Sequence, residues 1–460
     1  MTLSAPAAKS SESTSFGWIV TVTSLAFVMA QLDVSIVNIA MPQIAQTYQI
    51  TISTLQWVID AYTLAFAVLM LSAGSLSDML GAKRIFQIGI GIFCIASIGC
   101  GLAQSATMLI CFRALQGLGA ATMIPSSLAI LNQSFAHDTA KRVRAVGLWT
   151  AAGSSAIAAG PIIGGLLIQV SSWRYIFYVN VPLCLAALIF SLRLKKDQAA
   201  GNRNFDIPGQ VTWMLCITTI IWAIIEWPQL GANSPVILIS IIFSLIMLCL
   251  FLLTESKVKF PMLPLHLFKS ADFNVLLLLG GLLNGAYYGT IFILSLYLQN
   301  VLHYSSLNAG LAFLPLTVGF VISNVASGKI INKYGIRLPI MIGLVMFALG
   351  FAGLYLAGEH TQYWKLFLPF LTISMGMGLA VPSMINGILA SVDKSLSGTA
   401  SAALNTVRQS AGAIGVAIIG TIASGGNLRI IHAISVSATF TVIFTAITLI
   451  LILKLLKLKV

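Results

Sequence analysis

Apolar runs of roughly 20 residues, the length a helix rising about 1.5 Å per residue needs to cross hydrocarbon, recur along the whole chain. They predict about fourteen transmembrane helices, near 17–39, 54–75, 85–103, 107–132, 145–168, 175–194, 207–226, 234–254, 272–298, 308–327, 338–357, 364–388, 399–424 and 433–453. No polar stretch between them is long enough for a separate domain. The fold class is an all-α integral membrane protein. The first run is too long, and too polar at its end, for a cleaved signal peptide, so it is expected to remain as the first helix.

Composition agrees: of 460 residues 58% are hydrophobic and 8% charged, against about a quarter charged in soluble domains. The net charge of +13 raises the possibility of nucleic-acid binding, but the basic residues alternate by loop. With the N-terminus inside, Arg174, Lys365 and Arg429 fall on the outer side, Arg113 and Arg408 within helices, and the other Lys and Arg on the inner side. This positive-inside distribution puts both termini in the cytoplasm and makes the basic surplus topological, with anionic lipid headgroups as its counterpart. No nucleic-acid partner is expected. The six cysteines lie within predicted spans without metal-type spacing and read as packing residues.

Two stretches repeat. Gly74 to Arg84 follows the second span and Gly328 to Arg337 the tenth, and they align without gaps. Glycine is followed by Asp78 or Asn332, then Gly81 or Gly335, then Lys83 or Arg337. A duplicated six-helix unit with two extra helices between the copies predicts this recurrence. The boundaries are 1–194 for the first bundle, 195–271 for a linker and the inserted pair, and 272–460 for the second bundle. As tight loops the two stretches would use glycine for unusual backbone angles, with Asp78 meeting a helix N-terminus or a neighbouring base as an inner latch. In the fifth span, small residues concentrate at Gly153, Gly160, Pro161, Gly164 and Gly165. Such a helix is built for close contact and bending in lipid.

These motifs resemble the fourteen-helix drug:proton antiporter family of the major facilitator superfamily along nearly the whole chain. The loop matches at Gly74, Leu76, Asp78, Gly81, Lys83 and Arg84, and the fifth-span glycines match the family's antiporter motif. Leu32 to Pro42, Arg113 to Ala121, Gln56-Trp57 through Tyr62, Trp173 to Phe177, Asn180 to Pro182, Asp206 to Gly209 and Tyr297 to Gln299 match as well. The resemblance implies the major facilitator fold and proton-coupled export, and says little of the substrate.

Of twelve acidic residues, only Asp33, Asp60 and Glu226 fall within predicted spans, apart from Asp272 at the first position of the ninth. An Asp near a helix centre costs roughly 2.5–3.5 kcal/mol on insertion scales, so such residues usually serve function. Gln31, Ser35, Asn38 and Pro42 share a stripe on the first helix, while Asp33 lies about 200° from Gln31. Asp33 is therefore expected to face a neighbouring helix and pair with Arg113, coupling protons or latching. Gln56, Asp60 and Thr63 share a stripe that would turn Asp60 to the cavity, to attract a cation or take a proton. Glu226 reads as a solvated helix end. Arg113, Gln116 and Gly117 share a face of the fourth helix, and Arg408 with Asn405 and Gln409 forms a counterpart in the second half, gating there or reaching to the inner interface.

The substrate cavity is expected to draw on Asp60, Gln56 and Asn38, with Asn284, Tyr287, Tyr288, Met375, Met377 and Asn386 from the second half. Met and Tyr surfaces suit varied apolar ligands and cations. The reading is a secondary exporter, not an enzyme, that alternates access to one site. It releases an amphipathic, cationic drug or toxic compound and admits protons, as a monomer in a bacterial inner membrane and without cofactor. No phosphate-cradling G-x-x-x-x-G-K-[ST] loop appears, so ATP is not the implied energy source. Two alternatives stand: export of a physiological metabolite, siderophore or lipid on the same fold, and a non-transporting membrane sensor or assembly partner.

Overall fold

A computed structural model describes residues 15–194, 206–231, 233–258, 261–393 and 396–456, with a few side chains in these ranges, Asp78 among them, left undescribed. Helix starts are written locally. Ser15, Thr51, Ser105, Asp138, Asp206, Ser270 and Ser305 each accept a hydrogen bond from the backbone N–H three residues on, at 2.9–3.4 Å. Each satisfies one of the donors a helix N-terminus leaves open. Gly81, Gly231 and Gly335 stop helices at φ of +90°, +84° and +75°, where a side chain would be strained.

The first group of helices is α1 (Phe16–Tyr48), α2 (Ile52–Leu80), α3 (Ala82–Leu102), α4 (Ala106–Ser134), α5 (Thr139–Val170), α6 (Tyr175–Tyr178) and α7 (Asn180–Ser191). Next come α8 (Ile207–Leu230) and α9 (Pro235–Lys257). The last group is α10 (Ala271–Leu296), α11 (Ser306–Ala312), α12 (Leu314–Tyr334), α13 (Arg337–Gly353), α14 (Trp364–Ala390), α15 (Ser397–Ala423) and α16 (Asn427–Leu455).

Among the described residues, 12 helices are long and apolar enough to cross a membrane, and α5 makes a thirteenth when its two limbs, bent by 43° just before Pro161, count as one span. Proline removes a backbone donor and clashes with the carbonyl four residues back, which accounts for the bend. The window at 175–194 holds only the shorter pair α6 and α7, broken at Val179. The chain is a multi-pass membrane protein.

Both groups repeat the same internal contacts. α1 packs on α5 as α10 packs on α15; α4 packs on α2 and α3 as α14 packs on α12 and α13. The seams between the groups are also paired, with α2 against α15 and α5 against α11 and α12. α8 packs on α9 and touches both α2 and α15, so the inserted pair leans on one seam. Exposure follows from this placement. α1 is mostly buried, whereas α9 presents Leu238, Ile239, Ile242 and Leu253 outward to what must be lipid.

Candidate functional site

The most polar buried cluster lies inside the first bundle. Asp33 on α1 forms an ion pair with Nη1 of Arg113 on α4, and both side chains are almost wholly buried. Asn180 Nδ2 and Gln116 Nε2 donate to Asp33 Oδ1 at 3.0 and 3.2 Å. Gln116 also binds Ser97 at 2.8 Å and accepts from Arg113 at 2.8 Å. The Arg113 guanidinium lies 4.4 Å from the Tyr62 ring centre, and its Nε donates to the Val58 carbonyl at 3.0 Å. Gly117 permits this, because a Cβ there would run into the Tyr62 carbonyl and Ala65. Both Asp33 oxygens and the Nε and Nη1 of Arg113 are bonded, as burial of two charges requires.

Asp60 stands differently. It is fully buried, and among the described residues neither carboxylate oxygen has a hydrogen-bond partner. One turn earlier on the same stripe, Gln56 donates to the Val416 and Ala417 carbonyls of α15 at 3.3 and 2.6 Å. One turn later, Leu64 packs with Ala413 and Ala417. Asp60 thus lies in the α2–α15 stripe where the two bundles close on each other.

That closure lies at the end of the molecule away from the termini. Ser295 donates to the Asn38 carbonyl at 2.6 Å, Gln299 donates to the Ile39 carbonyl at 3.1 Å, and Ser306 joins Gln299 to Gln43 at 3.1 and 3.3 Å. The fifth-helix motif divides between two jobs. Cβ atoms on Gly153, Gly160 and Gly164 would strike Phe27, Ser35 and Ile36 of α1, within one bundle. A Cβ on Gly165 would come 2.8 Å from the Ser306 carbonyl oxygen, and one on Gly310 would overlap the Pro161 carbonyl, both across the seam. Glycine here is a condition of contact between the halves.

At the other end the bundles separate around a cavity of about 370 Å³. Its wall includes Phe27, Gln31, Asn38, Phe66, Trp149 and Pro161 from the first bundle and Asn284, Tyr287, Tyr288, Phe320, Met377 and Arg408 from the second. It extends to Gly74, Asn132, Val146, Leu389 and Ser401, residues at the helix ends on the side of the termini. The site is thus one central cavity, open toward the termini and shut at the far end.

A cavity between two like bundles, with matched seams, is the geometry of alternating access by rocking. The sequence pattern of the Major Facilitator Superfamily matches residues 23–416. The chain belongs to the Major Facilitator Superfamily. Similar relatives are the methylenomycin A resistance protein of Bacillus subtilis, 36% identical over 87% of this chain and 86% of that protein, and the multidrug resistance protein Stp of Mycobacterium tuberculosis, 32% identical over 87% of this chain and 74% of that protein. Among solved structures, the peptide transporter POT in complex with sulfate superposes with a TM-score of 0.71 over 94% of each chain at 12% identity, a likeness of fold alone.

Several expected placements are corrected for this superfamily member. Asp60 and Gln56 do not line the cavity, because their stripe is consumed by α15; neither does Met375, which points away from Met377 on α14, nor Asn386, which is exposed and donates to the Pro382 carbonyl. Glu226 is not merely wet: its Oε1 accepts from Trp57 Nε1 at 3.2 Å and ties α8 to α2. The repeated stretches are not loops. Residues 74–80 and 328–334 continue α2 and α12, and only Gly81 in the first stretch and Gly335 and Ile336 in the second leave the helix.

The bases of those stretches act within their own bundles. Lys83 Nζ donates to the Leu192 and Leu194 carbonyls at 2.9 and 2.5 Å, and Arg337 Nη2 to the Leu453 carbonyl at 2.6 Å, each capping the last helix of its half. Arg84 and Asn332 are exposed, and the Asp78 side chain lies outside the described residues. Sequence reasoning did not select Ser295, Ser306 and Gly310, which carry the far-end closure, since isolated Ser and Gly in apolar helices give no signal without their partner helix.

Proposed function

We propose that the chain is a proton-coupled exporter of amphipathic compounds, working as a monomer of the fourteen-helix drug:proton antiporter type in a bacterial inner membrane with both termini cytoplasmic. The observation that carries this reading is Asp60, a carboxyl with no bonded oxygen inside the closed contact between the bundles. A charged, unpaired carboxylate in such a contact is expensive, and a proton removes the cost. Opening the far end parts α2 from α15, exposes Asp60 to water there and lets it load a proton. Closing the contact carries the proton inward, and its release toward the termini accompanies substrate binding in the cavity. Arg113 links the Asp33 cluster to this event, because it holds the Val58 carbonyl, two residues from Asp60.

The names of the relatives support export of antibiotics or other toxic compounds. With Asp60 out of the cavity, the reason for expecting a cationic substrate falls away. The test is proton flux in proteoliposomes carrying an internal pH dye, challenged with compounds to which expression of the protein confers resistance. Proton movement that follows substrate movement and is lost in Asp60→Asn is expected. Substrate transport without proton movement overturns the coupling. Movement of neither, across a broad screen, favours the sensor reading.

A further inference from the structure

Two arginines lie inside the helical bundles, and they are treated differently. Arg113 spends its donors on Asp33, Gln116 and the Val58 carbonyl. Arg408 on α15 has, among the described residues, no acidic partner; its Nη1 makes one long bond to Asn405 Oδ1 at 3.4 Å, and its buried Nε makes none. The neighbouring Gln409 Oε1 is also unbonded. Arg408 lines the cavity, and no other charged residue does so among the described residues. A Cβ on Gly412, one turn on, would come 2.9 Å from the Tyr288 ring, which places that ring beside the arginine's helix face. Tyr287 packs edge-on to Tyr288 with ring centres 5.7 Å apart. A guanidinium with open donors, beside two aromatic rings in a largely apolar cavity, is an incomplete ion pair.

We propose that the cavity binds an amphipathic compound carrying a carboxylate, with Arg408 as its counter-ion and Tyr287 and Tyr288 against its apolar body. This rests on the reading of the chain as an exporter and names the substrate class of the same cavity. An unpaired charge within the membrane is costly, and a planar carboxylate matches the guanidinium fork and supplies the missing acceptors. A cationic compound would meet Arg408 as a like charge with no acid among the described wall residues to offset it.

Equilibrium binding to the purified full chain in lipid nanodiscs tests this with three probes of one shape: naphthalene-1-acetate, its methyl ester and naphthalene-1-methylammonium. The wild type should bind the acetate about tenfold more tightly than the ester, or about 1.4 kcal/mol, and the ammonium least. Arg408→Gln should erase the preference for acetate while retaining ester binding, and Arg408→Lys should keep part of it. Equal binding of acetate and ester by the wild type, or an undiminished preference in Arg408→Gln, overturns the assignment, and the wild-type comparison holds even where the variant misfolds. The export reading fails separately: carboxylate binding with no transport of any compound would sink export and leave the site, while transport indifferent to ligand charge would sink the site and leave export.

Discussion

Replacing Gly310 with valine should push the transporter out of the state seen here. The Cβ of any residue at 310 overlaps the Pro161 carbonyl of α5, a backbone atom that cannot rotate aside, and α11 would have to back away from α5. Overpacking a close contact of this kind costs about 1–3 kcal/mol. Because the contact joins the two bundles, the cost falls on the far-end-closed state and is relieved when the bundles part. The equilibrium constant between the two states should therefore change by about 5- to 150-fold. Spin labels at Gln49 and Gln362, exposed residues at the far end of the first and second bundles, would report this as a redistribution from the short to the long interspin distance. Gly91→Val is the control, since a Cβ there meets nothing within 4 Å. Gly160→Val is the contrast, since its clash with Ser35 lies within one bundle; it should lower thermal stability without favouring the long distance. An unchanged distance distribution in folded Gly310→Val, or the same redistribution in Gly91→Val, would refute the reasoning.

Asp33→Asn and Arg113→Ala should each abolish proton-coupled transport and cost about 3–5 kcal/mol of stability, the usual penalty for orphaning one member of a buried pair; thermal unfolding of both singles and the double variant should show strong non-additivity, and simple additivity would separate the two residues. Asp60→Asn should remove coupled export of neutral and charged compounds alike while leaving substrate binding intact, measured by flux and binding on one preparation; a loss confined to charged compounds would put Asp60 back at the cavity. Glu226→Ala should remove the tie between α8 and α2 at about 1 kcal/mol, read as a small drop in melting temperature, with Trp57→Phe giving little further loss once Glu226 is changed.

The sequence by itself determined what is local or periodic. Apolar run lengths placed the helices, and the repeated stretches that carry Lys83 and Arg337 disclosed two like bundles. The pair of Asp33 and Arg113 was legible because each is an isolated charge in its region of the membrane, and a buried charge seeks its opposite. Tertiary structure decided the rest, since a helix wheel orders the faces of one helix and does not say which neighbour each face meets. Asp60 and Gln56 share the expected stripe, yet that stripe abuts α15 and not the cavity. The fifth-helix glycines form one motif in sequence but serve two contacts, Gly160 and Gly164 within a bundle and Gly165 across the seam. Arg408 stood out in sequence as a base within a helix, but only the packing of α10 and α14 against α15 leaves its guanidinium in the cavity wall with no acid beside it among the described residues. Charge pairing and close contact are properties of distance between helices, and distance exists only once the bundles have assembled.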